Sequence, residues 1–200
     1  MLARSTGTPA AVALATVDEL PATARNLPDA EFVASRVAAH RAIRGIAGDG
    51  GTIEVNRRAN RAPIAHLLNG DSSRRRVALS LTHRDGRAAA IAAPAGSRIG
   101  IDLEHAEAID PARERFFLTE RERRSAGGMT AAVLWTLKEA AWKALRLGSS
   151  VGFHELELEI DSSGDVRGVQ CRGMSWRAVT ALACPWPGYV LATVQLGYGR

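Results

Sequence analysis

Val77-Ala78-Leu79-Ser80-Leu81-Thr82-His83-Arg84-Asp85-Gly86-Arg87-Ala88-Ala89-Ala90-Ile91-Ala92-Ala93 is the stretch from which the fold can be read. Two apolar runs, residues 77–82 and 87–93, flank Asp85-Gly86, a dipeptide that accepts the positive φ angles of a tight hairpin turn. The spacing predicts two antiparallel strands. Immediately after them, Pro94-Ala95-Gly96-Ser97 punctuates the chain before a new alternating run at residues 98–104. A boundary between two halves is therefore placed at Ser97, giving residues 1–97 and 98–200.

Working outward, residues 8–17 read as a first strand and residues 52–56 as a half-buried one. Between them, Pro28, Asp29 and Glu31 suit the first turn of a helix. Phe32, Val33, Val37 and Ile43 continue it at near-helical spacing to an expected end near Gly45. Arg57, Arg58 and Arg61 fall on a loop containing Pro63, and residues 69–73 form a polar turn. The second half carries a charged helical stretch at residues 111–125. A stronger helix follows over residues 130–147, with Thr130 as N-cap and Gly148 as stop. Hairpins at residues 156–169 and 177–196 complete it. The class is α+β: two similar halves, each a helix packed on antiparallel strands.

The chain has 200 residues, 46% hydrophobic and 24% charged, which excludes disordered and fibrous classes and suffices for two small fused cores. The 26 Lys+Arg against 21 Asp+Glu give a formal charge of +5, favouring polyanionic partners without choosing among them. Cys171 and Cys184 lack metal spacing and read as core thiols. No run approaches the roughly 20 apolar residues of a membrane span, and the alanine-rich start is broken at once by Asp18 and Glu19, so a strand is preferred to a secretory signal. A cytoplasmic protein, with no membrane partner, is expected.

Three short segments can carry chemistry. The period of two along residues 98–104 puts Asp102 and Glu104 on one strand face, a pair of oxygen donors suited to magnesium on a substrate phosphate. A step of four along a helix stacks Trp135, Glu139 and Lys143, holding a carboxylate between an indole and an ammonium. His83, with Thr82 before it, closes a strand at a turn, where side chains converge on ligands. Each pattern alone also describes an ordinary solvated face or turn. Arg74-Arg75-Arg76 and the Arg57, Arg58, Arg61 cluster have no interleaved aromatics, which argues against a nucleic-acid partner. No Walker or dinucleotide glycine loop occurs.

Ser80-Leu81-Thr82-His83, Gly100-Ile101-Asp102-Leu103-Glu104 and Trp135-x-x-Lys138-Glu139-Ala140-x-x-Lys143 together resemble, in content and order, the motifs of the 4'-phosphopantetheinyl transferase superfamily. The likeness is to the surfactin-synthetase-activating type, a single chain of two fused halves. Residues 35–42 and 115–120 are similar to its upstream helix and linking segment.

That resemblance implies a pseudo-twofold fold with coenzyme A, the co-substrate, held between the halves. It implies magnesium, or alternatively manganese, on Asp102, Glu104 and Glu139. Glu139 would also be the catalytic base and Lys143 its catalytic partner, stabilising charge or relaying the proton. Lys138, His83 and Thr82 would contact phosphates, with Arg36 or Arg41 on the 3'-phosphate. Where relatives carry lysine before a loop proline this chain has Ala62 before Pro63, so Arg61 is the substitute candidate. The partner would be an apo acyl or peptidyl carrier protein, and the enzyme a monomer. The alternatives are a non-catalytic relative that only binds coenzyme A, or a basic nucleic-acid-binding domain.

Overall fold

The computed structural model describes residues 9–57, 62–68, 73–107 and 109–198. Two compact units divide it, Met1–Ile99 and Gly100–Arg200.

The first unit is a five-stranded sheet in the order β1-β5-β4-β3-β2, built from β1 (Ala11–Thr16), β2 (Thr52–Arg57), β3 (Pro63–Leu68), β4 (Arg74–Arg84) and β5 (Arg87–Pro94). Every pairing in it is antiparallel. The expected hairpin is β4–β5, turning on Asp85 at φ 45° and Gly86 at φ 75°. After the single turn α1 (Ala22–Arg25), the long helix α2 (Ala30–Ala47) crosses this sheet. Its buried stripe is almost all alanine, at Ala30, Ala34, Ala38, Ala39 and Ala42, and it meets the buried alanines of β5. Small side chains on both surfaces let helix and sheet approach closely. The helix runs past Gly45, where it was expected to end, and stops at Gly48, φ 74°. Gly45 stays helical because its bare Cα lies against β1, where a Cβ would be only 2.8 Å from that of Ala11.

The second unit repeats the theme. Its sheet has the order β6-β10-β9-β8-β7, from β6 (Arg98–His105), β7 (Leu156–Ile160), β8 (Val166–Cys171), β9 (Met174–Trp186) and β10 (Tyr189–Tyr198). The charged stretch expected to be helical is two pieces, a 3-10 segment Pro111–Phe116 and α3 (Glu120–Ser125). They are separated because Thr119 starts the second with a capping box to Glu122. Helix α4 (Ala131–Leu145) packs on the sheet through Leu137, Ala140, Ala141 and Ala144. It ends at Arg146 in the left-handed conformation, φ 56°, two residues before the glycine expected to stop it. Thr130 Oγ1 accepts from Val133 N at 3.3 Å, so Thr130→Ala should cost about 1 kcal/mol in denaturant unfolding. No helix among the described residues is long and apolar enough to cross a membrane.

Candidate active site

Strand alternation puts Gly100, Asp102 and Glu104 on one face of β6, and α4 lies directly on that face. A Cβ at Gly100 would stand 1.8 Å from the Ala140 carbonyl oxygen, so the helix backbone touches the strand where only glycine fits. Contact at Ala140 brings its neighbour Glu139 and, a turn later, Lys143 over the two strand carboxylates.

Asp102 and Glu104 are buried, at 7% and 8% exposure. Lys143 Nζ donates to Asp102 Oδ1 at 2.6 Å and to the Ile101 carbonyl at 3.1 Å. Glu104 Oε1 accepts from the His105 backbone N–H at 2.8 Å. Burial and then the Asp102 charge push the Glu139 carboxyl above its ordinary range, Glu104 adds to this, and Lys143 opposes it. Three carboxylates and one ammonium therefore share one electrostatic neighbourhood. Their oxygens are the hard donors magnesium takes, and a divalent cation is what would relieve their repulsion, so the donor set fits that ion in kind. Among the described residues, no three His, Cys, Asp or Glu side chains converge closely enough as they stand to hold a metal.

Trp135, the third member of the expected helical face, stacks on Phe153 at 4.7 Å and meets Phe117 edge-on at 5.1 Å. These rings line a cavity of about 640 Å³ with Ile109, Arg113 and Phe116. The indole packs among aromatics.

Lys138 differs most from its expected place on a phosphate. It is fully buried, as is Glu122, and its Nζ donates to both Glu122 oxygens, at 2.9 and 2.8 Å. One helical step of about 100° from Glu139 turns it toward the core instead of the carboxylates. Burial lowers its pKa, and Glu122 opposes that shift.

In the first unit, Thr82 is buried near the end of β4. His83 Nδ1 lies 3.0 Å from Glu31 Oε2, while Glu31 Oε1 accepts from the Gly86 N–H at 2.6 Å. Arg36 donates to the Val55 carbonyl of β2 at 2.9 Å and lies 4.5 Å from the Phe32 ring centre. Burial, and the neighbouring Arg57, lower its pKa. Arg41 donates instead to the Leu14 carbonyl of β1 at 2.8 Å and to Glu19 at 2.7 Å. Strands β1 and β2 are the two edges of this sheet, four strand spacings or roughly 19 Å apart, so the two arginines are not brought together. Arg61 lies outside the described residues.

Sequence reasoning missed Glu31, read only as a helix-start acid, and Glu122. Both are reached from distant segments, and only the Thr119-x-x-Glu122 capping pattern hinted at the second.

Residues 98–194 match the family model described as the 4'-phosphopantetheinyl transferase superfamily. That is just under half of the chain. The match spans β6, α4 and nearly all of the second sheet, including Asp102, Glu104, Glu122 and Glu139. No curated protein sequence matches the chain. Among matching solved structures is the Thermotoga maritima holo-acyl-carrier-protein synthase, at 20% identity and a TM-score of 0.36. That alignment covers 51% of this chain and 64% of the synthase.

Proposed function

We propose that the protein transfers the 4'-phosphopantetheine group of coenzyme A to a serine hydroxyl of an apo acyl or peptidyl carrier protein, releasing adenosine 3',5'-bisphosphate. The observation that carries this reading is the placement of Glu139 beside Asp102 and Glu104, with Lys143 on Asp102, inside the segment that matches the transferase superfamily.

In this reading the serine oxygen attacks the phosphorus that bears the pantetheine, and the bond from that phosphorus to the bridging oxygen breaks. The leaving bisphosphate carries away the electron pair. Glu139 accepts the serine proton. Lys143, part-exposed beside Asp102, offsets charge that builds on the transferred group. A magnesium ion on Asp102, Glu104 and Glu139 would neutralise the pyrophosphate.

Thr82 and His83 are proposed for the phosphates of coenzyme A, with Glu31 orienting the imidazole through Nδ1. Of the two arginines, Arg36 is the better candidate for the 3'-phosphate. It stands in excess positive charge beside Arg57, whereas Arg41 is already neutralised by Glu19.

Incubation with coenzyme A, magnesium and a panel of apo carriers should give the phosphopantetheine adduct by intact-mass spectrometry. Chelator should abolish it, and added magnesium or manganese should restore it. Adduct that persists in chelator would remove the metal from the reading. Absence of adduct on every carrier, despite calorimetric binding of coenzyme A, would leave a binding protein without transfer.

A further inference from the structure

We propose that Lys138 is a positioning residue: its buried bond to Glu122 sets the rotation of α4 and thereby the direction of Glu139. This rests on the transferase reading for its kinetic consequence, though not for its geometry.

Glu122 is a hub for three elements. Its Oε1 accepts from Lys138 Nζ of α4 and from the Leu158 N–H of β7, at 2.9 and 2.8 Å. Its Oε2 accepts from the same Nζ and from the Thr119 N–H at the start of α3, at 2.8 and 2.7 Å. Four hydrogen bonds from three donor groups fill the acceptor capacity of one carboxylate. An ammonium so held, with no exposed surface, reaches a ligand only by abandoning a buried carboxylate.

Removing two charges from water is a poor way to gain stability, and an apolar pair of similar volume commonly does as well. What the ion pair adds is direction. Lys138 precedes Glu139, so a hold on one fixes the angle at which the other leaves the helix. The chain has 26 Lys+Arg, yet lysine appears only at 138 and 143. At a helix radius of roughly 5–6 Å, a rotation of about 10° moves a side-chain head by about 1 Å, a displacement that can cost about 100-fold in rate. Gly100 against Ala140 limits how near α4 comes to β6, and the Lys138–Glu122 bond limits how it turns.

Two measurements test this. Reductive methylation of the parent protein, read by peptide mass spectrometry, should label Lys143 and leave Lys138 unlabelled with or without coenzyme A. Labelling of Lys138 that coenzyme A suppresses would overturn the proposal in favour of a phosphate contact, whether or not transfer is ever seen.

For the kinetic arm, Lys138→Met, Glu122→Gln and the double variant Lys138→Met/Glu122→Met are compared with the parent. Turnover should fall about 10- to 100-fold in each. The double variant should be no worse than the singles and should melt near the parent, with KM for coenzyme A within about twofold throughout. If the double variant regains parental turnover along with its stability, the pair is only structural and the proposal fails. A rise in KM in Lys138→Met but not in Glu122→Gln overturns it as well. If a single variant does not fold, the double variant and the labelling of the parent still decide. A parent that transfers nothing would sink the transferase reading alone, and the labelling pattern would still judge the buried bond.

Discussion

Glu139→Gln should yield a folded protein that transfers phosphopantetheine far more slowly than the parent and that, in metal-free buffer at neutral pH, melts higher than the parent. The two effects have one source. Burial together with Asp102 and Glu104 holds the Glu139 pKa above the ordinary 4.5, so in the folded state its negative charge is disfavoured. A folded pKa above the unfolded one means that the cost is absent below about pH 4.5. It grows as pH rises toward the folded value and is fully present above it. Glutamine removes the charge and keeps the shape, so the gain should appear above that window and vanish below it. Its size is on the order of 1 kcal/mol, the scale of a single stabilising change. Turnover should drop by roughly 10²- to 10⁴-fold, the contribution of a general base. Scanning calorimetry at pH 4 and 7.5, with the intact-mass assay, checks both. Turnover within tenfold of the parent would exclude Glu139 from the chemistry, and a lower melting temperature at pH 7.5 would contradict the repulsion among the carboxylates.

Gly100→Ala should be the most damaging one-carbon change in the second unit. The added Cβ would lie 1.8 Å from the Ala140 oxygen and 2.8 Å from the Ala144 nitrogen. These are backbone atoms, which cannot swing aside as a flexible side chain would. Strand β6 and helix α4 must separate, at a cost of about 3 kcal/mol, or roughly 6–12 °C in melting temperature for a chain of this size. Because the same contact carries Glu139 and Lys143 over Asp102 and Glu104, transfer should fall by about 100-fold even where the protein remains folded. Gly148→Ala serves as control, since a Cβ there meets nothing within 4 Å. A Gly100→Ala protein that melts and turns over like this control would show that the close approach is dispensable.

How far residue patterns lead is seen in individual elements. Asp85-Gly86 specified a hairpin that formed, because a two-residue turn is a local matter of φ angles. The alternation along residues 98–104 put Asp102 and Glu104 on one face, and a helical step of four put Glu139 and Lys143 near each other, both consequences of backbone period alone. The same periods failed at helix ends. Gly45 was read as a stop because glycine disfavours helix, yet its packing against Ala11 retains it. Arg36 and Arg41 were alternatives for one phosphate in sequence and lie toward opposite sheet edges, since five residues is about 140° round a helix.

By itself, the sequence determined the alternation of strands and helices, the α+β class, and which carboxylates share a face, because those depend on contacts within a few residues. The tertiary structure alone decided that Lys138 faces Glu122 rather than solvent, that His83 meets Glu31, and that Lys143 lies on Asp102. These pairs are separated by 16, 52 and 41 residues. Their partners are chosen by which surfaces the core brings into contact and by the cost of leaving a buried charge without one, a choice that no local period encodes.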